Sequence, residues 1–242
     1  MSKRDEAIAL FERALALNPD FAQARALLSY MLTLPILGDT GNGPQPSGSV
    51  QLQSDLARAK KEARRSLEID DRIPYAWVAL ARKYNFQGQP KDGLRAIQNA
   101  LDLNPLQPVV LFVMADCLWS DGRPEEAIEA CDRCIVLGPS SVFYSLVLSI
   151  KSCALIALKR YEDAVHCSQD AQARLKDSAY PFFGEICALG YLGRSEEAAN
   201  AIQRAQRTIP GFNAALFEYL QPTADQRMKS CITDGFQRAG LA

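Results

Sequence analysis

The sequence holds a single histidine, His166, among 242 residues. Zinc chemistry of the catalytic kind is built on sets of imidazoles and thiolates, so it has little to stand on here. Neither sign of charge is in excess: 27 Lys and Arg face 28 Asp and Glu, for a formal net charge of −1. That balance gives no long-range pull toward nucleic acid or an anionic membrane. Long apolar runs are missing as well. The two most apolar stretches, 27–37 and 142–150, are interrupted and fall short of the roughly 20 residues that a membrane helix needs. Serine nucleophile elbows, paired metal-binding histidines and glycine-rich phosphate loops are all absent, so the chain is not expected to be an enzyme. Seven cysteines (Cys117, Cys131, Cys134, Cys153, Cys167, Cys187 and Cys231) are an odd number spread through helical patterns. Free thiols fit a reducing compartment better than a secreted disulfide framework. The opening Met1-Ser2-Lys3-Arg4-Asp5-Glu6 has no signal-peptide core. A cytoplasmic protein with no cofactor, no metal and no catalytic residue is the expectation.

What is present is a repeat. Four segments end alike: Arg13-Ala14-Leu15-Ala16-Leu17-Asn18-Pro19, Asn99-Ala100-Leu101-Asp102-Leu103-Asn104-Pro105, Arg133-Cys134-Ile135-Val136-Leu137-Gly138-Pro139 and Arg204-Ala205-Gln206-Arg207-Thr208-Ile209-Pro210. Pro105 and Pro139 are 34 residues apart. A small residue (Ala100, Cys134) precedes each by five, Ile97 or Cys131 by eight, Gly93 or Ala127 by twelve, and Gly88 or Gly122 by seventeen. The glycine sits where two helices must turn, and the proline cannot continue the second helix. Unit 74–107 carries Trp77, Leu80, Ala81, Tyr84, Gly88, Gly93, Ile97, Ala100 and Pro105. Unit 108–141 carries Leu111, Met114, Ala115, Leu118, Gly122, Ala127, Cys131, Cys134 and Pro139, and unit 179–212 keeps Phe182, Leu189, Gly193, Ala198, Ile202, Ala205 and Pro210. Unit 145–178 is degenerate, with Ala164 and Ala171 kept and Lys159 at the turn. The pattern resembles the tetratricopeptide repeat. It implies an all-α, right-handed superhelical solenoid of helix-turn-helix repeats over 1–212, in which each pair leaves an apolar face for its neighbour to cover.

The repeat pattern breaks at both ends. Ala7, Phe11, Ala14 and Pro19 form the second helix of a unit whose first helix is not seen, so the first repeat is incomplete. In the following unit the second helix, built on Ala59, Ala63 and Ser66, is displaced by a loop expected at about 35–52, whose Gly41–Gly48 stretch has flexible-linker composition. Residues 213–242 are expected to be C-terminal capping helices. Their ending, Ile232-Thr233-Asp234-Gly235-Phe236-Gln237-Arg238-Ala239-Gly240-Leu241, resembles the close of the tetratricopeptide regions that trail bacterial class III adenylate/guanylate cyclases. That likeness implies a regulatory or interaction segment of a signalling system.

Two constellations have a bland reading and a sharper one. Cys131-Asp132-Arg133-Cys134 has redox or metal spacing, but both sulfurs fall on small, buried positions of the repeat. Arg58, Lys60, Lys61, Arg64 and Arg65 read as a solvated helix face, with an acidic partner or nucleic acid as the alternative. The family resemblance implies a partner-binding groove lined at the second, fifth, ninth and twelfth positions of each unit. Those positions are Tyr75, Val78, Arg82 and Asn85; Val109, Phe112, Asp116 and Trp119; Leu146, Ser149, Cys153 and Ile156; and Tyr180, Phe183, Cys187 and Gly190. An apolar extended or helical polypeptide segment is the expected ligand, with no nucleic acid and no membrane. The alternatives are a groove filled by the chain's own C-terminal helix, self-association through the open N-terminal repeat, and a helical-repeat RNA binder.

Overall fold

The computed structural model describes residues 3–34, 50–138, 143–174, 178–220 and 225–241, and every regular element among them is a helix. Thirteen are assigned: α1 Lys3–Leu17, α2 Ala22–Thr33, α3 Val50–Ile69, α4 Pro74–Phe86, α5 Pro90–Leu103, α6 Pro108–Ser120, α7 Pro124–Leu137, α8 Tyr144–Ala157, α9 Tyr161–Arg174, α10 Tyr180–Tyr191, α11 Ser195–Thr208, α12 Ala214–Leu220 and α13 Gln226–Ala239. None is long and apolar enough to cross a membrane. The chain divides into two compact units, residues 1–106 with α1–α5 and residues 107–242 with α6–α13.

The pairs α2/α3 and α4/α5 build the first unit, and α6/α7, α8/α9 and α10/α11 build the second. Their boundaries follow from punctuation already in the sequence. Proline opens α4, α5, α6 and α7 at the first turn, where its missing N–H costs nothing. Between the helices of a pair, Gly88, Gly122 and Gly193 sit at φ +70°, +74° and +69°. Each closes a Schellman turn; at the second, Arg123 N–H donates to Leu118 O at 3.0 Å and Gly122 N–H to Trp119 O at 3.1 Å. The α8/α9 turn makes the same two bonds, but its left-handed residue is Lys159, at φ +60°. A side chain in that region costs roughly 1–2 kcal/mol. Lys159→Gly is therefore expected to raise stability by about 0.5–1 kcal/mol, after the larger entropy of an unfolded glycine is set against it. A urea midpoint that stays level or falls would contradict this.

Alanine and cysteine carry the close helix contacts. Ala81, Ala100, Ala115, Ala127, Cys131, Ala154, Ala164, Ala188, Ala198 and Ala205 are all fully buried. In the displaced second repeat Ala59 and Ala63 are buried too, and Ser66 takes the third small position with its hydroxyl donating to Ala22 O at 2.8 Å. Of the insertion expected at about 35–52, residues 35–49 lie outside the described residues, and α3 starts at Val50. The half-repeat α1 lays Ile8, Phe11 and Leu15 on Leu28, Leu32 and Ala59. First helices such as α6 and α8 are packed on nearly all sides, hence their largely apolar sequences, whereas α11 buries only Ala198, Ala201 and Ala205.

Candidate functional site

The first helices of the repeats place the expected contact rows, and most of those side chains are buried. Val78, Arg82, Asn85, Val109, Phe112, Trp119, Ser149 and Phe183 are all under 8% exposed. Tyr75, Asp116, Leu146 and Tyr180 are half-buried. In the first unit, Tyr75 meets Tyr30 edge-on, with centroids 5.5 Å apart. The Arg82 guanidinium donates to Thr33 Oγ1 at 3.2 Å and Thr33 O at 3.3 Å and lies over the Phe86 ring. Arg82 is thus spent on closing the end of α2. In the second unit, Phe112 stacks on Phe143 at 5.2 Å, and Ser149 turns its hydroxyl back to Ser145 O.

At the C-terminal end of the second unit the row is already occupied by α13. That helix packs chiefly on α10 and also touches α8. Ile232 and Phe236 are its buried face. Phe183 sits among Phe212, Phe217 and Phe236, with centroid separations of 4.8, 5.4 and 5.6 Å. Gly190 and Gly235 let the two backbones touch, since a Cβ on either would collide with the other helix. Tyr191 Oη donates to Cys231 O at 2.8 Å, and the Cys187 thiol points at the same carbonyl. The start of α13 is fixed as well: the Asp225 carboxylate caps it through Arg227 N–H, and Asp225 N–H donates to Ser120 O at 3.0 Å. Phe183, Cys187 and Gly190 therefore face this chain's own helix. Residues 213–242 hold α12 and α13, and residues 221–224 lie outside the described residues.

One buried charge escaped the sequence reading. Glu185, 2% exposed on α10, accepts from Gln169 Nε2 at 3.1 Å, Gln172 Nε2 at 2.7 Å and, with both oxygens, from the Arg204 guanidinium at 2.8 Å. The signal was there: an acid inside the otherwise uncharged helix Tyr180–Tyr191 needs partners wherever the fold supplies them.

The thiols have structural surroundings. Burial pushes Cys134 up to about 11 and Cys153 to about 12, and raises Cys131 and Cys187 well above the ordinary range. No group of three potential metal ligands exists among the described residues. Because the folded thiols hold their protons where unfolded thiols ionise, their contribution to stability is complete below the unfolded pKa, near 9. It is lost as pH climbs from there toward the folded values. On the order of 1 kcal/mol per buried thiol should be gone by pH 10. A urea midpoint unchanged between pH 8 and pH 10, by intrinsic fluorescence, would refute this.

Comparison with known proteins agrees with the geometry. Residues 1–33 and 78–142 match the family model of the tetratricopeptide repeat. No curated protein matches the chain in sequence. Among solved structures, PilF of Pseudomonas aeruginosa superposes with a TM-score of 0.61 at 17% identity, over 98% of this chain and 93% of that one. PilW, a type IV pilus biogenesis factor, gives 0.62 at 14% identity over 78% and 83%. YrrB, described as a TPR protein with an unusual peptide-binding site, gives 0.53 at 15% identity over 83% and 93%. At such identities the likeness speaks for the fold. The fold is thus all-helical, with paired helices like those of the tetratricopeptide repeat, whose family model covers residues 1–33 and 78–142.

Proposed function

We propose that this chain is a protein-interaction scaffold that holds an apolar segment of a polypeptide partner on the row of first helices. The fold is one of protein-binding scaffolds. The observation that carries the finer reading is α13. It lies on α10 and α8 as an amphipathic helix, with Ile232 and Phe236 inward, so this face is shaped to receive a helix with apolar anchors. YrrB lends a parallel, as a repeat protein of this fold with a peptide-binding site. The partner would contact the half-buried members of the row in the second unit, Asp116, Leu146 and Tyr180. Buried Val109, Phe112 and Trp119 would serve as the floor beneath them.

The test is photo-crosslinking from position 116 or 146, with Glu129 on α7 as the control position. The reading holds if a polypeptide is trapped from the row alone, binds the purified chain, and is released by Asp116→Arg. Equal trapping from both positions, or none, would sink it. Phe112→Asp and Trp119→Asp are unsuitable, because a charge at those buried sites attacks the fold itself.

A place in a bacterial signalling system beside a nucleotide cyclase is a narrower proposal resting on residues 232–241. Packing accounts for part of that pattern, since Ile232, Gly235, Phe236 and Leu241 are buried and Gly240 is left-handed at φ +77°. Copurification of a cyclase with the tagged chain would support it, and a pull-down without one would not. Self-association has its own observation: α1 buries no residue completely, and Leu10, Leu17 and nearby Phe21 are 61, 90 and 46% exposed. If that face pairs, sedimentation will show a dimer that Leu10→Lys/Leu17→Lys converts to monomer. A monomeric wild type removes the idea.

A further inference from the structure

A group of cations in the first unit is not used by the row of first helices. On α3, Arg58 is paired with Glu12 at 2.6 Å, and Arg65 with Asp20 at 3.0 Å and Glu68 at 3.1 Å. Glu62 is taken by Arg25 from α2. Lys60 and Arg64, one turn apart on the same helix, have no carboxylate partner among the described residues. Lys83 joins them from α4. It is only 5% exposed, and its Nζ lies 4.3 Å from the centroid of the Tyr84 ring. Burial first, then the fields of Lys60 and Arg64, hold its ammonium below the ordinary lysine range. The acid that opposes them, Asp92, is bound to Arg95 at 2.8 Å. Arg64, Trp77 and Tyr84 also line a cleft of about 650 Å³ between α3, α4 and α5.

Arg58 and Arg65 are neutralised locally and Lys61 points to solvent, so Lys60 and Arg64 of α3 with the buried Lys83 of α4 form a local positive potential in a protein of net charge −1. We propose that Lys60, Arg64 and Lys83 form an oxyanion site that grips an acidic or phosphorylated side chain of a polypeptide partner. The two sources share one chemistry: a compact group of negative oxygens that accepts hydrogen bonds from ammonium and guanidinium. A polypeptide fits better than a nucleic acid because Glu68, Asp71 and Asp92 line the cleft that Arg64 borders. One anion between neutral neighbours can avoid those carboxylates, whereas a continuous polyphosphate cannot. Trp77 and Tyr84, both half-buried, offer apolar surface to the residues beside the anion. The site stands apart from the contact row, because Lys83 follows Arg82 and points roughly 100° away from it around α4. It rests on the scaffold reading only for the choice of a polypeptide.

The experiment is fluorescence anisotropy on the full chain at low salt, with three dye-labelled peptides of one neutral sequence. Their centre is a Glu-Glu pair, a phosphoserine or a Gln-Gln pair. One of the acidic peptides is expected to bind at least about tenfold more tightly than the Gln-Gln peptide, and which one identifies the source of the oxyanion. Lys60→Ala/Arg64→Ala and Lys83→Met should each abolish the difference, and salt should weaken it. Arg133→Ala, on an exposed face of α7, should leave it intact. The first variant changes partly or fully exposed side chains, so its folding is not at risk. Acidic peptides that bind no better than the neutral one, or a difference that survives both variants, would overturn the proposal. Tighter binding of a single-stranded oligonucleotide to the same three residues would overturn the choice of a polypeptide.

Discussion

Gly190→Ala is expected to cost the second unit about 2–3 kcal/mol, and Gly190→Val more, with α13 the first element to loosen. A Cβ at this position would lie 2.9 Å from Ala239 N and closer still to Gly235 O. Both are backbone atoms of α13, so no rotamer change relieves the clash and the helix must move away from α10. Overpacking of this kind typically costs ~1–3 kcal/mol even where side chains can adjust. Movement of α13 also uncovers Phe183, Phe217 and Phe236, whose edge-on and tilted contacts hold the end of the unit together. Hydrogen exchange should show the α13 amides losing protection ahead of those of α8 and α9. Gly193→Ala is the built-in contrast. Its Cβ would meet nothing within 4 Å, and only its φ of +69° penalises a side chain. About 1 kcal/mol is expected there, with α13 still protected. Equal losses for the two alanine variants would mean that the α10–α13 contact is not held by backbone proximity.

That contact also marks where the sequence stops being legible. Prolines, turn glycines and small residues at a 34-residue period specify the pairs from Pro74 onward, because each acts locally through a missing N–H, a left-handed φ or a missing side-chain volume. Spacing also tells which way Tyr75, Asp116 or Phe183 points from its helix. It cannot tell what stands opposite. Phe183 points along the expected row and meets Phe212 at the last position of its unit, and Phe217 and Phe236, which belong to segments outside the repeat period. Lys159 shows the converse: a residue that breaks the glycine rule keeps the turn, because both turn hydrogen bonds and the packed helices on either side hold it there. The basic cluster of α3 was legible as composition only. Which of its members are neutralised depends on Glu12, Asp20 and Glu68, and two of those three come from elsewhere in the sequence.

Arg204→Met is expected to destabilise the second unit by about 2–3 kcal/mol, and more than Glu185→Gln does. The reason is an asymmetry of exposure. Glu185 is almost fully buried, while the Arg204 side chain is half exposed and crosses the surface above the Phe182 ring to reach it. Losing the arginine leaves a buried carboxylate with only the two amide donors of Gln169 and Gln172. Losing the carboxylate charge leaves an arginine that water can solvate and an amide that still accepts from its neighbours. The half-exposed guanidinium keeps the effect below the range for a fully buried ion pair. Combining Arg204→Met with Glu185→Met removes the charge and its partner together. Since a buried pair replaced by apolar groups of similar volume is often close to neutral, the double variant should be more stable than Arg204→Met alone. A double-mutant cycle by urea denaturation measures this directly. Additive single losses would show that the bidentate bond contributes nothing specific, and that Glu185 is held by its glutamines.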